Sequence, residues 1–172
     1  MIDPNSLPGR PLLDTGVLIR ALGDLQEDER GPLCIELFRA LVEAKKDILI
    51  AAPTLAEVIR FDVTRPIPHV PAIEVLAFDD RAAELLGKHF PSSVIHRQKM
   101  ATGLFRPYLK YDALIAACAL RYKADCIISL DDDYSSFALS VGIKTRHPKD
   151  FLAVVQKDLL SLIKPTPVDS ER

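Results

Sequence analysis

The sequence predicts an α/β domain in which helices cover both faces of a central, mostly parallel sheet, giving three layers, α/β/α. Short apolar runs alternate along the chain with longer segments of helical periodicity, as in successive βαβ units. The runs are apolar throughout, which is typical of strands buried on both faces. With 172 residues, of which 48% are hydrophobic, the chain is long enough for a single domain with a sizeable core.

The predicted strands are short and lie between turn or helix signals. The first, Pro11 to Leu13, ends at Asp14, and the fourth, which starts at Cys126, ends before a run of three aspartates. The strands are predicted at residues 11–13, 47–51, 73–78, 126–130 and 143–146.

The segments between these strands carry the helical spacing of apolar residues. Helices are predicted at residues 15–30, 32–44, 54–63, 79–90, 112–123, 134–141 and 149–163. Prolines interrupt two other stretches: residues 65–71 are expected to form a loop, and residues 91–111 a helical turn followed by a long loop. Residues 1–164 are expected to form one domain, and the polar, proline-rich residues 165–172 a disordered tail.

Charge, apolar runs and cysteine spacing indicate the cellular compartment that we expect for the protein. The net charge of −2 argues against a generally basic surface but leaves room for a local one. The longest apolar run, Ala113 to Leu120, is too short to span a membrane, and the first ten residues do not resemble a signal peptide. Cys34, Cys118 and Cys126 form no C-x-x-C pair. We therefore expect a cytoplasmic protein with no membrane partner.

Four acidic residues are predicted to converge at one edge of the sheet. Asp14 and Asp131 follow the first and fourth strands, Asp112 begins a strongly apolar helix, and Glu57 lies near the start of the helix after the second strand. Sites in open parallel sheets form beyond the carboxyl ends of the strands. Carboxylates that lie close together repel one another and require a cation, and hard oxygen ligands favour Mg²⁺ or Mn²⁺.

Each acid also has a purely structural interpretation. Asp14 could cap the following helix, and Thr54 with Glu57 matches a capping box. Asp112 could complement a helix dipole, and the run 131–133 could be an exposed acidic turn. Only the joint pattern of the four acids favours a functional site.

Four segments together resemble the signature segments of the PIN-domain family, in order and spacing. They are residues 12–19 (LLDTGVLI), 54–60 (TLAEVIR), 111–119 (YDALIAACA) and 128–134 (ISLDDDY), and the resemblance extends from about Leu12 to Phe151. Two positions depart from the family pattern, because Gly16 and Leu130 stand where members usually have asparagine.

The resemblance implies a three-layer PIN-like fold and an Mg²⁺- or Mn²⁺-dependent endoribonuclease. Among short single-domain members, the commonest role is that of a VapC-like toxin, which forms a homodimer and is inhibited by a small antitoxin protein. By this resemblance, the acidic quartet of the site comprises Asp14, Glu57, Asp112 and Asp131. Three of these acids, Asp14, Asp112 and Asp131, would bind metal. The supporting residues would be Asp133, Ser129 and Thr15.

The stretch before Asp112 is predicted to bind RNA. No aspartate or glutamate occurs from Leu85 to Tyr111. Basic side chains beside an acidic site could attract a phosphate backbone, and tyrosines offer stacking faces. The predicted RNA-binding residues are Arg97, Lys99, Arg106 and Lys110. A solvated basic loop, or a contact for an acidic partner, is the alternative.

Three other functions stay open from the sequence. An RNA-processing nuclease of the same family would need no antitoxin. A haloacid-dehalogenase-like phosphatase also begins with an aspartate after a strand, but its pattern needs a second aspartate at the position of Gly16. A degenerate PIN module used only for binding is disfavoured because all four acids are present.

Overall fold

A single parallel sheet forms the middle of the protein. The computed structural model describes residues 1–23, 28–62, 64, 67–68, 70–102, 106–131 and 141–153. Within these residues the strands pair in parallel, in the order β3-β2-β1-β4-β5. This architecture confirms the predicted α/β class with a mostly parallel sheet. The strands are Pro11–Leu13 (β1), Ile48–Ala51 (β2), Ile73–Leu76 (β3), Cys126–Ile128 (β4) and Thr145–Arg146 (β5).

Helices connect the strands and cover the sheet. Single turns of 3₁₀ helix occur at Pro4–Ser6 and Pro148–Phe151. None of the helices in the described ranges is both long enough and apolar enough to cross a membrane. The α-helices are Thr15–Leu22 (α1), Gly31–Glu43 (α2), Ala52–Phe61 (α3), Asp80–His89 (α4), Ser92–Thr102 (α5) and Arg106–Arg121 (α6).

The strands divide the core into two halves because successive side chains point to opposite faces of a sheet. Leu12 and Ile127 belong to the half that contains buried residues of α5 and α6. Leu13 and Ile128, their chain neighbours, belong to the half that contains buried residues of α1 and α2. Helices therefore pack on both faces, which gives the predicted three layers.

The strand order places a topological switch beside β1. The chain builds β2 and then β3 on one side of β1, and returns to add β4 and β5 on the other side. In open parallel sheets, a crevice forms at the carboxyl ends of the strands where the order reverses. Here the order reverses between β1 and β4, whose carboxyl ends lead into Asp14 and Asp131.

The prediction of a long loop at residues 91–111 is wrong. The stretch contains α5 and the first turns of α6. Its two prolines stand where helices begin: the carbonyl of Pro91 accepts from the amides of Val94 and Ile95, and Pro107 is the second residue of α6. Proline is tolerated in a first turn because the amide it lacks would have no partner there.

Several predicted boundaries also shift. The helix predicted at 15–30 ends at Leu22, because Gly23 is extended. The first residues of the helix predicted at 149–163 instead belong to a 3₁₀ turn that ends at Phe151, and Leu152 pairs with Ile2 in an antiparallel bridge. Residues 154–163 of that predicted helix lie outside the described residues. Residues 132–140, which include most of the predicted helix 134–141, and residues 154–172, which include the predicted tail, lie outside the described residues.

Candidate active site

Asp14 joins the end of β1 to the start of α1. Its amide donates to the carbonyl of Ile128 at 3.0 Å, which extends the parallel register by one residue. Its Oδ1 accepts from the amide of Thr15 at 2.8 Å, so Asp14 does cap α1. Its other oxygen, Oδ2, accepts from the hydroxyl of Ser129 at 2.9 Å. The capping interpretation is therefore correct for Asp14, and the same carboxylate also faces β4.

Ser129 ties the ends of β1 and β4 together. It is buried, with 3% of its surface exposed. Its hydroxyl donates to Asp14 and accepts from the amide of Asp131 at 3.0 Å. Asp131 itself is exposed. One hydroxyl therefore sets the position of one acid and the backbone of another across adjacent parallel strands.

Glu57 lies in the second turn of α3 and not in a capping box. The residue before the helix is Ala51, so Thr54 lies inside α3, fully buried, and its hydroxyl has no hydrogen-bond partner in the described parts of the chain. Glu57 instead accepts a short hydrogen bond from the hydroxyl of Thr15. This bond connects α3 to α1 and brings Glu57 to the residue that follows Asp14.

Asp112 reaches the same region from α6. The helix begins at Arg106, so Asp112 lies in its second turn, beyond the first turn where a helix dipole stabilises a carboxylate. The dipole interpretation is therefore wrong. Because α6 packs against α3, β2 and β4, it places this acid above the end of the sheet.

The charges of neighbouring acids contribute to the raised pKa values of Asp14 and Asp112. Burial, above all, and then the charges of Asp14, Asp131 and Glu57 raise the pKa of Asp112 to about 8. Burial is also the main reason that the pKa of Asp14 rises to about 6; the Ser129 and Thr15 hydrogen bonds oppose this rise, and the charges of Glu57 and Asp131 add to it. The structure thus brings together Asp14, Glu57, Asp112 and Asp131, which we call the acidic centre.

The acidic centre offers only carboxylate oxygen as a charged ligand. The three cysteines, Cys34, Cys118 and Cys126, are buried free thiols in the two halves of the core. Among the described residues, no three His, Cys, Asp or Glu side chains form a group that could hold a metal ion as arranged here. The donor chemistry by itself suits hard cations such as Mg²⁺ or Mn²⁺.

The predicted RNA-binding residues precede this centre along α5 and α6. Arg97 and Lys99 lie on α5, and Arg106 is the first residue of α6. Lys110 is exposed, two residues before Asp112. The side chains of the first three, and the whole of Asp133, lie outside the described residues.

Two residues of α3 beside the centre were missed by the sequence analysis. Arg60 is exposed and donates from Nη1 to the hydroxyl of Tyr111 at 3.5 Å. Phe61 has 56% of its surface exposed. They follow Glu57 by three and four residues, so all three share one helix face. The spacing of three and four residues from Glu57 is visible in the sequence and could have identified Arg60 and Phe61.

Known proteins share the sequence pattern and the fold of this chain. Residues 12–139 match the family described as PIN domain. No curated protein matched the chain. One chain in the crystal structure of VapBC2 from Rickettsia felis, bound to a DNA fragment from their promoter, has a similar fold, with a TM-score of 0.50 at 16% sequence identity over 80% of this chain and 97% of that chain. The family match spans most of this protein, which therefore belongs to the PIN-domain family of nucleases.

Proposed function

We propose that this protein is an endoribonuclease that uses Mg²⁺ or Mn²⁺ to hydrolyse RNA phosphodiester bonds. The convergence of four carboxylates at the switch point of the sheet is the observation that carries the proposal. Burial and, after it, the neighbouring acids raise the pKa of Asp112 to about 8, and such strongly shifted carboxyl groups are common at functional sites. A bound divalent cation would stabilise the charged form of these groups.

The proposed roles follow from position. Asp14, Asp112 and Asp131 would hold the ion, which would polarise the phosphate and lower the pKa of a bound water. Glu57, oriented by the Thr15 hydroxyl, completes the set of acids. Ser129 orients Asp14 and the backbone of Asp131. We also propose Asp133 as a supporting acid, from its place in the family pattern.

Cations near the start of α6 would draw the substrate toward the acidic centre. We propose that Arg97, Lys99, Arg106 and Lys110 contact RNA phosphates, because they lie within an acid-free stretch that leads directly to Asp112. Such contacts make affinity fall steeply as salt concentration rises.

A cleavage assay separates this function from its rivals. Purified protein should cleave single-stranded RNA with Mg²⁺ or Mn²⁺ and stop when EDTA is added. A phosphatase would act on small phosphomonoesters, and a binding module would cleave neither substrate. Undiminished RNA cleavage in EDTA would contradict the metal requirement. The PIN-domain match already favours a nuclease over a haloacid-dehalogenase-like phosphatase.

We further propose that the nuclease is the toxin of a toxin–antitoxin pair, active in the cytoplasm as a homodimer. The resemblance to VapC-like toxins and the fold shared with a chain of a VapBC2 structure support this role. Induced expression should then arrest growth, and co-expression of a small protein encoded next to the gene should restore it. Normal growth with full RNase activity would favour an RNA-processing nuclease. Light scattering of the purified protein would test the dimer.

A further inference from the structure

An exposed arginine on α3 lies beside the acidic centre and has no carboxylate partner among the described residues. Arg60 follows Glu57 by three residues, a spacing that puts their Cβ atoms about 5–6 Å apart on one helix face. It forms no ion pair with any other described residue. Its guanidinium instead donates a long hydrogen bond of 3.5 Å to the hydroxyl of Tyr111. Its charge is therefore available for an anionic ligand.

Arg20, another arginine near the acidic centre, differs because its guanidinium bonds to other groups of the protein. It lies on α1, which Asp14 caps, and its Nε pairs with Asp28 at 2.7 Å. Its Nη1 donates to the carbonyl of Gly16 at 2.9 Å. Both ends of that guanidinium are used within the protein, so Arg20 stabilises the fold, whereas Arg60 has a single side-chain hydrogen bond within the described parts of the chain.

Aromatic rings accompany Arg60. Phe61 is more than half exposed, and Tyr111 is half-buried and directly precedes Asp112. Because α3 and α6 pack together, the Arg60–Tyr111 contact lies alongside the pair Glu57 and Asp112. A cation combined with exposed rings is typical of surfaces that bind single-stranded nucleic acid, where phosphates meet the cation and bases stack on the rings.

We propose that Arg60, Phe61 and Tyr111 form a binding surface for single-stranded RNA next to the acidic centre. Arg60, positioned by the Tyr111 hydroxyl, binds a phosphate near the bond that is cleaved, and the rings of Phe61 and Tyr111 stack on the flanking bases. The inference rests on the proposed ribonuclease function. It adds a second contact region, on α3, to the cations that precede Asp112 on α5 and α6.

The charge of Arg60 and the ring of Phe61 should affect the salt dependence of RNA binding differently, because only the charge interacts with phosphates. A labelled single-stranded RNA oligonucleotide is titrated with protein in EDTA, and Kd is measured by fluorescence anisotropy at several salt concentrations. Arg60→Gln should weaken binding and reduce the slope of log K against log salt by about 0.7. Arg60→Lys should restore most of the slope. Phe61→Leu should weaken binding about tenfold with the slope unchanged.

Steady-state cleavage with Mg²⁺ or Mn²⁺ gives a second readout. Arg60→Gln and Phe61→Leu should raise KM more than they lower kcat, because the acidic centre is intact. Tyr111→Phe removes only the hydroxyl that holds Arg60 and should shift KM in the same direction by less. All of these side chains are at least partly exposed, and circular dichroism would verify that each variant is folded.

A matched control lies on α2. Ile35 and Arg39 on this helix are also an exposed apolar residue and an exposed arginine, and α2 packs against α1 and the 3₁₀ turn at Pro148–Phe151. Ile35→Leu and Arg39→Gln should leave Kd, salt slope and KM at wild-type values. Wild-type cleavage combined with unchanged binding by Arg60→Gln and Phe61→Leu would overturn this inference alone. A wild-type protein that neither binds nor cleaves RNA would overturn the ribonuclease function as well.

Discussion

Asp14 and Asp79 occupy equivalent local positions and have opposite electrostatics. Each aspartate follows a strand of the parallel sheet and caps the next helix with its side chain. The amide of Ala82 and the guanidinium of Arg121, which lies 3.0 Å away, lower the pKa of Asp79. Burial and neighbouring carboxylates raise the pKa of Asp14 to about 6.

The difference separates a structural acid from a functional one. Asp79 is stabilised in its charged form by the protein itself, so its charge contributes to folding. The donors to Asp14 are the neutral hydroxyl of Ser129 and the amide of Thr15, and they do not offset the burial and the charges around it. A positively charged ligand would stabilise the Asp14 carboxylate, which the fold alone does not do. For this reason we assign a function to the region of Asp14.

The largest expected effect is on activity, in a pair of charge-only substitutions. Asp14→Asn should lower RNA cleavage by about a thousandfold, because losing a metal ligand costs several kcal/mol of transition-state stabilisation. Asp79→Asn should cleave at the wild-type rate. Thermal unfolding in EDTA should show the reverse order, with Asp14→Asn at least as stable as the wild type and Asp79→Asn less stable. Equal loss of activity in both variants would contradict the assignment of Asp14 as a functional acid and Asp79 as a structural one.

An intermediate effect is expected at the residue that supports Asp14. Ser129→Ala removes the donor to Asp14 and the acceptor for the amide of Asp131, and should lower activity about 10- to 100-fold. The cost in unfolding free energy should be about 1–2 kcal/mol. Raising the Mn²⁺ concentration should recover part of the activity, which a purely structural defect would not allow. The control is Ser6→Ala, which removes a hydroxyl that donates to the carbonyl of Asp3, away from the acidic centre.

The smallest expected effect concerns how the stability of the Asp79 region depends on pH. The pKa of Asp79 is lower in the folded protein than in the unfolded chain, where it is about 3.9. Its charge therefore stabilises the fold above that unfolded value, and the contribution is lost as pH falls through the lower folded value. The difference in Tm between wild type and Asp79→Asn should be full at pH 7 and should shrink below pH 4. A difference independent of pH would mean that the Arg121 ion pair contributes nothing.

The sequence alone predicted the fold class and the family, because both depend on local patterns. Apolar runs alternating with helical periodicity required a parallel sheet between helices, and the four segments that carry the acids were recognisable in order. The prediction of a loop at residues 91–111 is wrong, because the two prolines there stand at the starts of helices and do not interrupt them. The same residues begin helices there, and only the packing of α5 and α6 on the core distinguishes the two outcomes.

The environment of each acid was decided only by the tertiary structure. From the sequence, Asp14, Glu57 and Asp112 each had a helix-terminus explanation, and nothing local could choose among them. The fold showed Glu57 bonded to Thr15 and Asp112 inside α6, and it showed Arg60 next to Tyr111 across two helices. The sequence gives the position of each acid along the chain. Its pKa and its hydrogen-bond partners depend on burial and on residues that are distant in sequence.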